Sequence, residues 1–264
     1  MKKHASTFRD RAYLAPILTL VYLGLISIPF SRFGVDGPYF AEGMKDLMKG
    51  LFLLIAGITL YHESYPSLPF IGGPFRRVGL CFFPFLFLGT SNLIFLAMAP
   101  QADKATSFAA GPFFFALLGV FLGAACEELC FRYLIEGLFL EKMKPGLAVL
   151  FSALIFGAAH LLNLFSGAGV GPTFAQAGYT TLLGLALGLS YAYSLNFWFV
   201  TLAHFLFNAL NDVLFGAIYQ GEWTSTFFWV NGVFAAVFCL YGAWIFFLLQ
   251  QHAKNTSSPK EKKQ

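Results

Sequence analysis

The sequence predicts an all-α polytopic membrane protein, a bundle of about eight transmembrane helices formed by a single integral membrane domain over residues 1–264. Of the 264 residues, 58% are hydrophobic and only 11% are charged, whereas soluble domains carry about 25% charged residues. The apolar residues fall into runs long enough to cross a bilayer, and the basic residues lie mostly at the ends and between the runs. These features exclude a sizeable soluble domain, and the net charge of +4 indicates membrane orientation rather than nucleic-acid binding.

Eight apolar runs approach the length of about 20 residues that a spanning helix needs. The second is short and carries Lys49 near its start, where a lysine can extend to the membrane interface. The fourth is the longest and holds a cluster of charged residues in its second half. The predicted spans cover residues 13–30, 47–61, 78–98, 108–140, 146–165, 174–193, 197–219 and 227–249.

The Lys and Arg residues between the spans predict the orientation, because cytoplasmic segments carry an excess of them. Four of the 17 fall on one side of the predicted bundle, Arg132 lies inside it, and the other 12 fall on the side that holds both termini. Both termini are therefore predicted to be cytoplasmic, which requires an even number of spans, in a membrane expected to be the bacterial inner membrane. The smaller group consists of Arg32, Lys45, Lys49 and Lys104. The basic tail at 253–264 is predicted to be disordered.

The charged cluster of the fourth span is Glu127, Glu128 and Arg132. A charge near the bilayer centre costs about 2.5–3.5 kcal/mol on insertion scales, so such residues usually serve a function. Glu128 and Arg132 are four residues apart, share a helix face and can form an ion pair; Glu136, a further four residues on, could share Arg132. Glu127 is rotated by about 100° from Glu128, which leaves it without a partner in its own helix and available as a general base.

Two further polar groups lie in apolar surroundings, His160 in the fifth span and His204 with Asn208 in the seventh. Each alone could be an interhelical hydrogen-bonding group. At 1.5 Å per residue, Glu127 and His160 lie about 20 Å from the predicted cytoplasmic ends of their helices, and the residues of the seventh span lie about 10–16 Å in. The four side chains can therefore face one cavity in the cytoplasmic half to middle of the membrane.

These residues resemble the three-motif signature of the CAAX-protease and bacteriocin-processing (CPBP) family. The motifs are the Glu-Glu-x-x-x-Arg sequence that begins at Glu127, Phe156-x-x-x-His160 and His204-x-x-x-Asn208. They occur in the family's order, on separate predicted helices, and the resemblance covers roughly residues 110–212. The catalytic core is accordingly placed at about 108–219.

The resemblance implies an intramembrane endopeptidase with eight helices and a cavity that faces the cytoplasm. By this resemblance Glu127 activates water, His160 supports it, and His204 with Asn208 stabilises the oxyanion, while Glu128 and Arg132 are assisting or structural. No cofactor is expected. Zinc held by Glu127, His160 and His204 is the alternative, because one Glu and two His can form a three-ligand site.

Two other functions are compatible with a charged intramembrane cluster. One is a proton-coupled transporter that uses these residues as a relay, although the sequence lacks the inverted repeat that many transporters show. The other is a non-catalytic family member that acts as an immunity or assembly factor. As a protease, the chain would act on a membrane-associated protein or peptide near its C-terminus or in a membrane-proximal segment, with the lipid bilayer as its other partner.

Overall fold

The computed structural model describes residues 12–30, 40–62, 75–105, 109–165, 167–222 and 224–257. The described residues form helices and contain no strand, apart from an isolated bridge between Lys104 and Tyr219. The predicted all-α class is therefore confirmed.

The helices form eight consecutive rods in the described part of the chain, which match the eight predicted spans. The first two are α1 and α2, the third is divided into α3 and α4, and several later rods include turns of π or 3₁₀ geometry. The helices are α1 (Leu14–Ile26), α2 (Phe40–His62), α3 (Phe75–Gly89), α4 (Ser91–Met98), α5 (Ala110–Glu128), α6 (Gly137–Lys142), α7 (Pro145–Ala159), α8 (Val170–Ser194), α9 (Phe197–Asn208), α10 (Phe215–Ile218) and α11 (Ser225–Ser257).

Five of the rods are both long enough and apolar enough to cross a membrane, as a polytopic membrane protein requires. They span Arg76–Met98, Ala110–Lys142, Pro145–Leu164, Phe197–Ile218 and Ser225–Gln251. Helix α1 is apolar but shorter, at 13 residues. Helices α2 and α8 are long enough at 23 and 25 residues but more polar, and they correspond to the second and sixth predicted spans.

Lys49 of α2 pairs with an aspartate of its own helix and with the backbone of α5. The Nζ of Lys49 donates to Oδ1 of Asp46 at 2.9 Å and to the carbonyl of Gly119 in α5 at 3.1 Å. A lysine three residues from an aspartate lies on the same helix face and can pair with it. The pair therefore holds the start of α2 against α5.

The rods alternate in direction, which gives the bundle two distinct ends. Helix α1 is antiparallel to α5, since Tyr22 lies beside Glu127 and Thr19 beside Cys130. The start of α7 at Gly146 packs against Phe246, late in α11. One end, called the terminal end, thus holds the start of α1, the connection between α6 and α7 and the end of α11. The other is called the opposite end.

The C-terminal tail begins later than predicted. Helix α11 continues to Ser257, so residues 253–257 are helical and the prediction that they are disordered is wrong. Alanine and lysine are good helix formers, and a lysine near a helix C-terminus is stabilised by the helix dipole. Residues 258–264 lie outside the described part of the chain.

Candidate active site

The rod formed by α5 and α6 changes its geometry directly after the two glutamates. Helix α5 ends at Glu128, and residues Leu129–Glu136 adopt a π-helix before α6 begins. Insertions of π geometry occur frequently at functional sites. The side chain of Glu127 is 24% exposed while that of Glu128 is completely buried, so the two glutamates occupy different environments, as their 100° rotation predicts.

Glu128 belongs to a buried polar network with Arg132. The Nε of Arg132 lies 3.3 Å from Oε2 of Glu128, with neither side chain exposed. One guanidinium nitrogen, Nη1, donates to Oγ of Ser152 in α7 at 3.2 Å, and the guanidinium carbon lies 4.9 Å from the ring centroid of Phe156. The predicted ion pair is confirmed, and Ser152 links it to a second helix.

Glu136 lies near enough to Arg132 for a Coulombic attraction, but no direct ion pair joins the two side chains among the described contacts. The described partners of Arg132 are Glu128 and Ser152. In a π-helix the hydrogen bond joins residues five apart rather than four, so a residue four positions on no longer lies directly over its neighbour. The carboxylate of Glu136 is buried instead against Gly188, where a Cβ atom would come within 2.7 Å of it.

His204 joins the two glutamates from a different helix. Its Nδ1 donates to Oε1 of Glu128 at 2.8 Å, and its Nε2 lies 3.8 Å from Oε2 of Glu127. The ring is 2% exposed and packs edge-on near Phe156. A carboxylate bonded to one ring nitrogen fixes the orientation of the imidazole and directs the other nitrogen. Here that other nitrogen points toward Glu127.

His160 reaches the site at the end of α7. Its Nδ1 donates to the carbonyl of Phe156 at 3.0 Å, so in the neutral ring Nε2 is left as an acceptor. The ring also packs edge-on against Phe156, at a centroid distance of 5.0 Å. One phenylalanine therefore contacts both histidines and the Arg132 guanidinium.

A cavity of about 560 Å³ brings Glu127 and His160 together. Its polar lining also includes five residues that were not among the candidates predicted from the sequence. Only the tertiary structure places them beside Glu127 and His160. They are Tyr22, Ser27, Lys45, Asn163 and Gln176. Asn163 donates to Gln176 at 2.8 Å, which ties α8 to the turn after α7.

Tyr22 is the most notable of these additional residues. Its ring is 2% exposed, packs on Phe52 at 5.2 Å and presents its hydroxyl group to Glu127. A single tyrosine in an apolar first span has no sequence signal that separates it from a membrane-interface residue. Its position makes it a second polar neighbour of Glu127, besides His204 at 3.8 Å.

Asn208 lies one turn beyond His204, and neither residue is part of the described cavity lining. A π-helix over Ala209–Leu214 follows it directly. Nearby, Asn92 of α4 donates to Asn211 at 2.8 Å and accepts from Asn231 of α11 at 3.0 Å. This amide network fixes the segment after Asn208, whose role as an oxyanion donor stays a prediction.

Close helix packing brings α7, which ends beside His160, against α8. A Cβ atom on Gly157 would lie 1.9 Å from Oγ1 of Thr181. Any larger residue would separate α7 from α8, and small residues commonly serve this purpose in membranes. In α8 the sequence Gly184-Leu-Ala-Leu-Gly188 acts likewise, since Gly184 packs against Phe156 and Ala153.

The cavity mouth lies at the opposite end of the bundle. Its lining includes Ser27 just after α1, Lys45 near the start of α2, and Gly167 and Ala168 just before α8. The resemblance predicts a cytoplasmic cavity and the cation count predicts cytoplasmic termini. Because the mouth and the termini lie at opposite ends, only one of these two orientation predictions can hold.

The described residues do not form a ready metal site. No group of three His, Cys, Asp or Glu side chains in the described ranges is arranged to hold an ion. Glu127 and His204 lie close together, but His160 does not join them in a group of three donors among the described residues. The arrangement does not fit the three-ligand zinc site, and the chemistry considered below includes no metal-bound step.

Comparison with known families adds to this geometry. Residues 109–210 match the family model described as Type II CAAX prenyl endopeptidase Rce1-like. The predicted family resemblance is confirmed. The matched segment contains all three motifs and runs from the start of α5 into the π-helix after Asn208. This segment is therefore similar to the type II CAAX prenyl endopeptidases, which supports a membrane protease in general. No curated protein matches the chain, and no solved structure does either.

Proposed function

We propose that the chain hydrolyses a peptide bond of a membrane-associated substrate with Glu127 as the general base. The observation that supports this proposal is the contrast between the two adjacent glutamates. Glu128 is buried and engaged by Arg132 and His204, while Glu127 lines the cavity. Of the two, only Glu127 can meet both a water molecule and a substrate.

The reaction follows from the positions of these groups. Glu127 takes a proton from water as the water oxygen bonds to the scissile carbonyl carbon, and it later gives that proton to the leaving amine as the C–N bond breaks. The Nε2 of His160 accepts a hydrogen bond from the water. His204, as an imidazolium that donates from both nitrogens, places one N–H on Glu128 and the other toward the developing oxyanion.

In this proposal Glu128 and Arg132 act through His204. Oε1 of Glu128 orients the imidazole while Oε2 is compensated by the Arg132 guanidinium. A carboxylate that orients a catalytic histidine and stabilises its imidazolium form is a recurring device in hydrolases. Asn208 is retained as a second oxyanion donor, one turn from His204.

The proposed protease and the alternative transporter predict different experimental results. If the chain is a protease, the full chain reconstituted in liposomes with membrane proteins from its host should generate new peptide C-termini that mass spectrometry detects. It should produce no proton flux above empty liposomes in a pH-dye assay. Proton flux without new termini would contradict the proposal, and neither activity would favour the non-catalytic immunity or assembly factor.

Metal dependence provides a second prediction. Cleavage by the purified chain should persist after prolonged dialysis against a strong chelator, and elemental analysis should find well below one zinc per chain. The reason is that the described donors form no three-ligand cluster. Stoichiometric zinc, lost and restored together with activity, would contradict the glutamate mechanism and favour Glu127, His160 and His204 as ligands.

A further inference from the structure

The position of the cavity along the bundle axis carries information about substrate access. Glu127 lies 15 residues before the end of α6 at Lys142, and His160 lies 15 residues after the start of α7 at Pro145. At 1.5 Å per residue both are about 22 Å from the terminal end. The hydrocarbon core is about 30 Å thick, so the site lies in the half of the membrane nearer the opposite end.

The cavity opens toward that same end. Residues of its lining lie at the end of α1, near the start of α2, after α7 and before α8. Gly167 and Ala168 in this lining are exposed. A substrate that enters through this mouth therefore approaches from the side of the membrane away from the termini.

The distribution of cations identifies that side. Segments at the terminal end carry 12 Lys and Arg residues, and those at the opposite end carry four. Among the described residues the terminal end has Arg76, Arg77, Lys142 and Lys144, which flank the starts of α3 and α7. Eight of the 12 lie in the N- and C-terminal segments, and the remaining four equal the four at the opposite end. The basic terminal segments therefore place the terminal end in the cytoplasm.

We infer that the site opens to the extracytoplasmic face and that its substrates are exported, membrane-anchored peptides or proteins whose scissile bond lies near the outer surface. This inference rests on the proposed protease function for its substrate class but not for its orientation. A lipid-modified protein presented at the cytoplasmic face would meet the basic terminal end, about 22 Å from Glu127. This inference differs from the cytoplasmic orientation that the family resemblance implies for the cavity, and the experiment below decides between the two.

Two cysteine variants test the orientation directly. Ala168→Cys places a thiol in the exposed turn at the mouth, and Glu141→Cys places one at an exposed position near the end of α6. Both are made in a Cys239→Ala background, because Cys239 is the exposed native cysteine among the described residues. Bacterial cells expressing the full chain are treated with a charged, membrane-impermeant maleimide before and after permeabilisation.

Ala168→Cys should react in intact cells at least tenfold more than Glu141→Cys, which should react only after permeabilisation. The reverse pattern, or equal labelling of both in intact cells, would overturn the inferred orientation. Labelling requires no enzymatic activity, so failure of the proposed function does not affect this arm.

A second arm tests the substrate class. Once substrates are known from their new termini, the maleimide attached to Ala168→Cys should reduce their cleavage in intact cells at least fivefold, while Glu141→Cys cells keep the untreated rate. If the labelling is as expected but the cleaved bonds lie only in cytoplasmic segments, the exported substrate class would be overturned. The inferred orientation would still hold. An absence of any cleaved substrate would instead contradict the proposed protease function.

Discussion

Replacement of Glu127 by glutamine should yield a folded protein that cleaves its substrate about 100- to 10,000-fold more slowly, the range that a general base contributes. The amide is nearly the same size as the carboxylate but cannot accept the proton from water. The side chain lines the cavity and lies 3.8 Å from Nε2 of His204, so its loss should leave the buried Glu128–Arg132 pair intact. The measurement is the cleavage rate per mole of folded enzyme, with the melting temperature recorded in parallel.

The matched control is Glu141→Gln, which removes the same charge from an exposed position near the end of α6. This variant should keep both the rate and the melting temperature of the natural protein. A Glu127→Gln variant that cleaves at the natural rate would exclude this residue as the base. If the variant fails to fold, Glu127→Asp, which retains a carboxylate, supplies the test, and a folded Glu127→Asp protein should retain measurable activity.

Replacement of Arg132 by methionine should destabilise the protein by about 3–5 kcal/mol, the usual cost of breaking a buried ion pair. The guanidinium is completely buried and contacts Glu128, Ser152 and the ring of Phe156. Its removal leaves the Glu128 carboxylate uncompensated in a low-dielectric interior. Thermal unfolding in detergent, followed by tryptophan fluorescence, should show a large decrease in melting temperature.

A double variant separates the charge effect from lost packing. Glu128→Gln combined with Arg132→Met removes both charges and should recover a substantial part of the lost stability, because removing a whole buried pair costs far less than removing half. It should still cleave poorly, since His204 loses its carboxylate partner. A double variant no more stable than Arg132→Met would show that the pair matters through its packing instead.

The partly exposed ion pair between Asp46 and Lys49 provides a comparison for the buried pair of Glu128 and Arg132. Its side chains are 26% and 20% exposed, and ion pairs in contact with solvent contribute about 0–1 kcal/mol. Asp46→Asn should therefore change the melting temperature much less than Arg132→Met does. A similar loss in both variants would indicate that burial does not govern the cost.

The sequence by itself determined the class of fold and the number of spans. Long apolar runs in a bilayer must form helices, because unpaired backbone groups have no water to bond with there. The eight predicted spans correspond to the eight rods of the described chain. The pairing of Glu128 with Arg132 was likewise predictable, since residues four apart share a helix face, and the confirmed family match includes all three motifs.

Other features depended on contacts between residues distant in the chain. Helical spacing cannot show that Tyr22 lies against Glu127, that His204 joins both glutamates or that Ser152 supports Arg132. The π-helix after Glu128 changes the register within one helix, and in it Arg132 and Glu136 attract each other without a direct ion pair. Local periodicity assumes a regular helix and carries no signal for such a change.

The direction in which the cavity opens was also decided only by the tertiary structure. The sequence provides the charge asymmetry, which orients the termini, and the positions of the motifs along their helices, which give their depth. It does not show at which end the helices separate to admit a substrate. That depends on how α1, α2, α7 and α8 pack around Glu127 and His160, and in this protein they leave the opening at the end away from the termini.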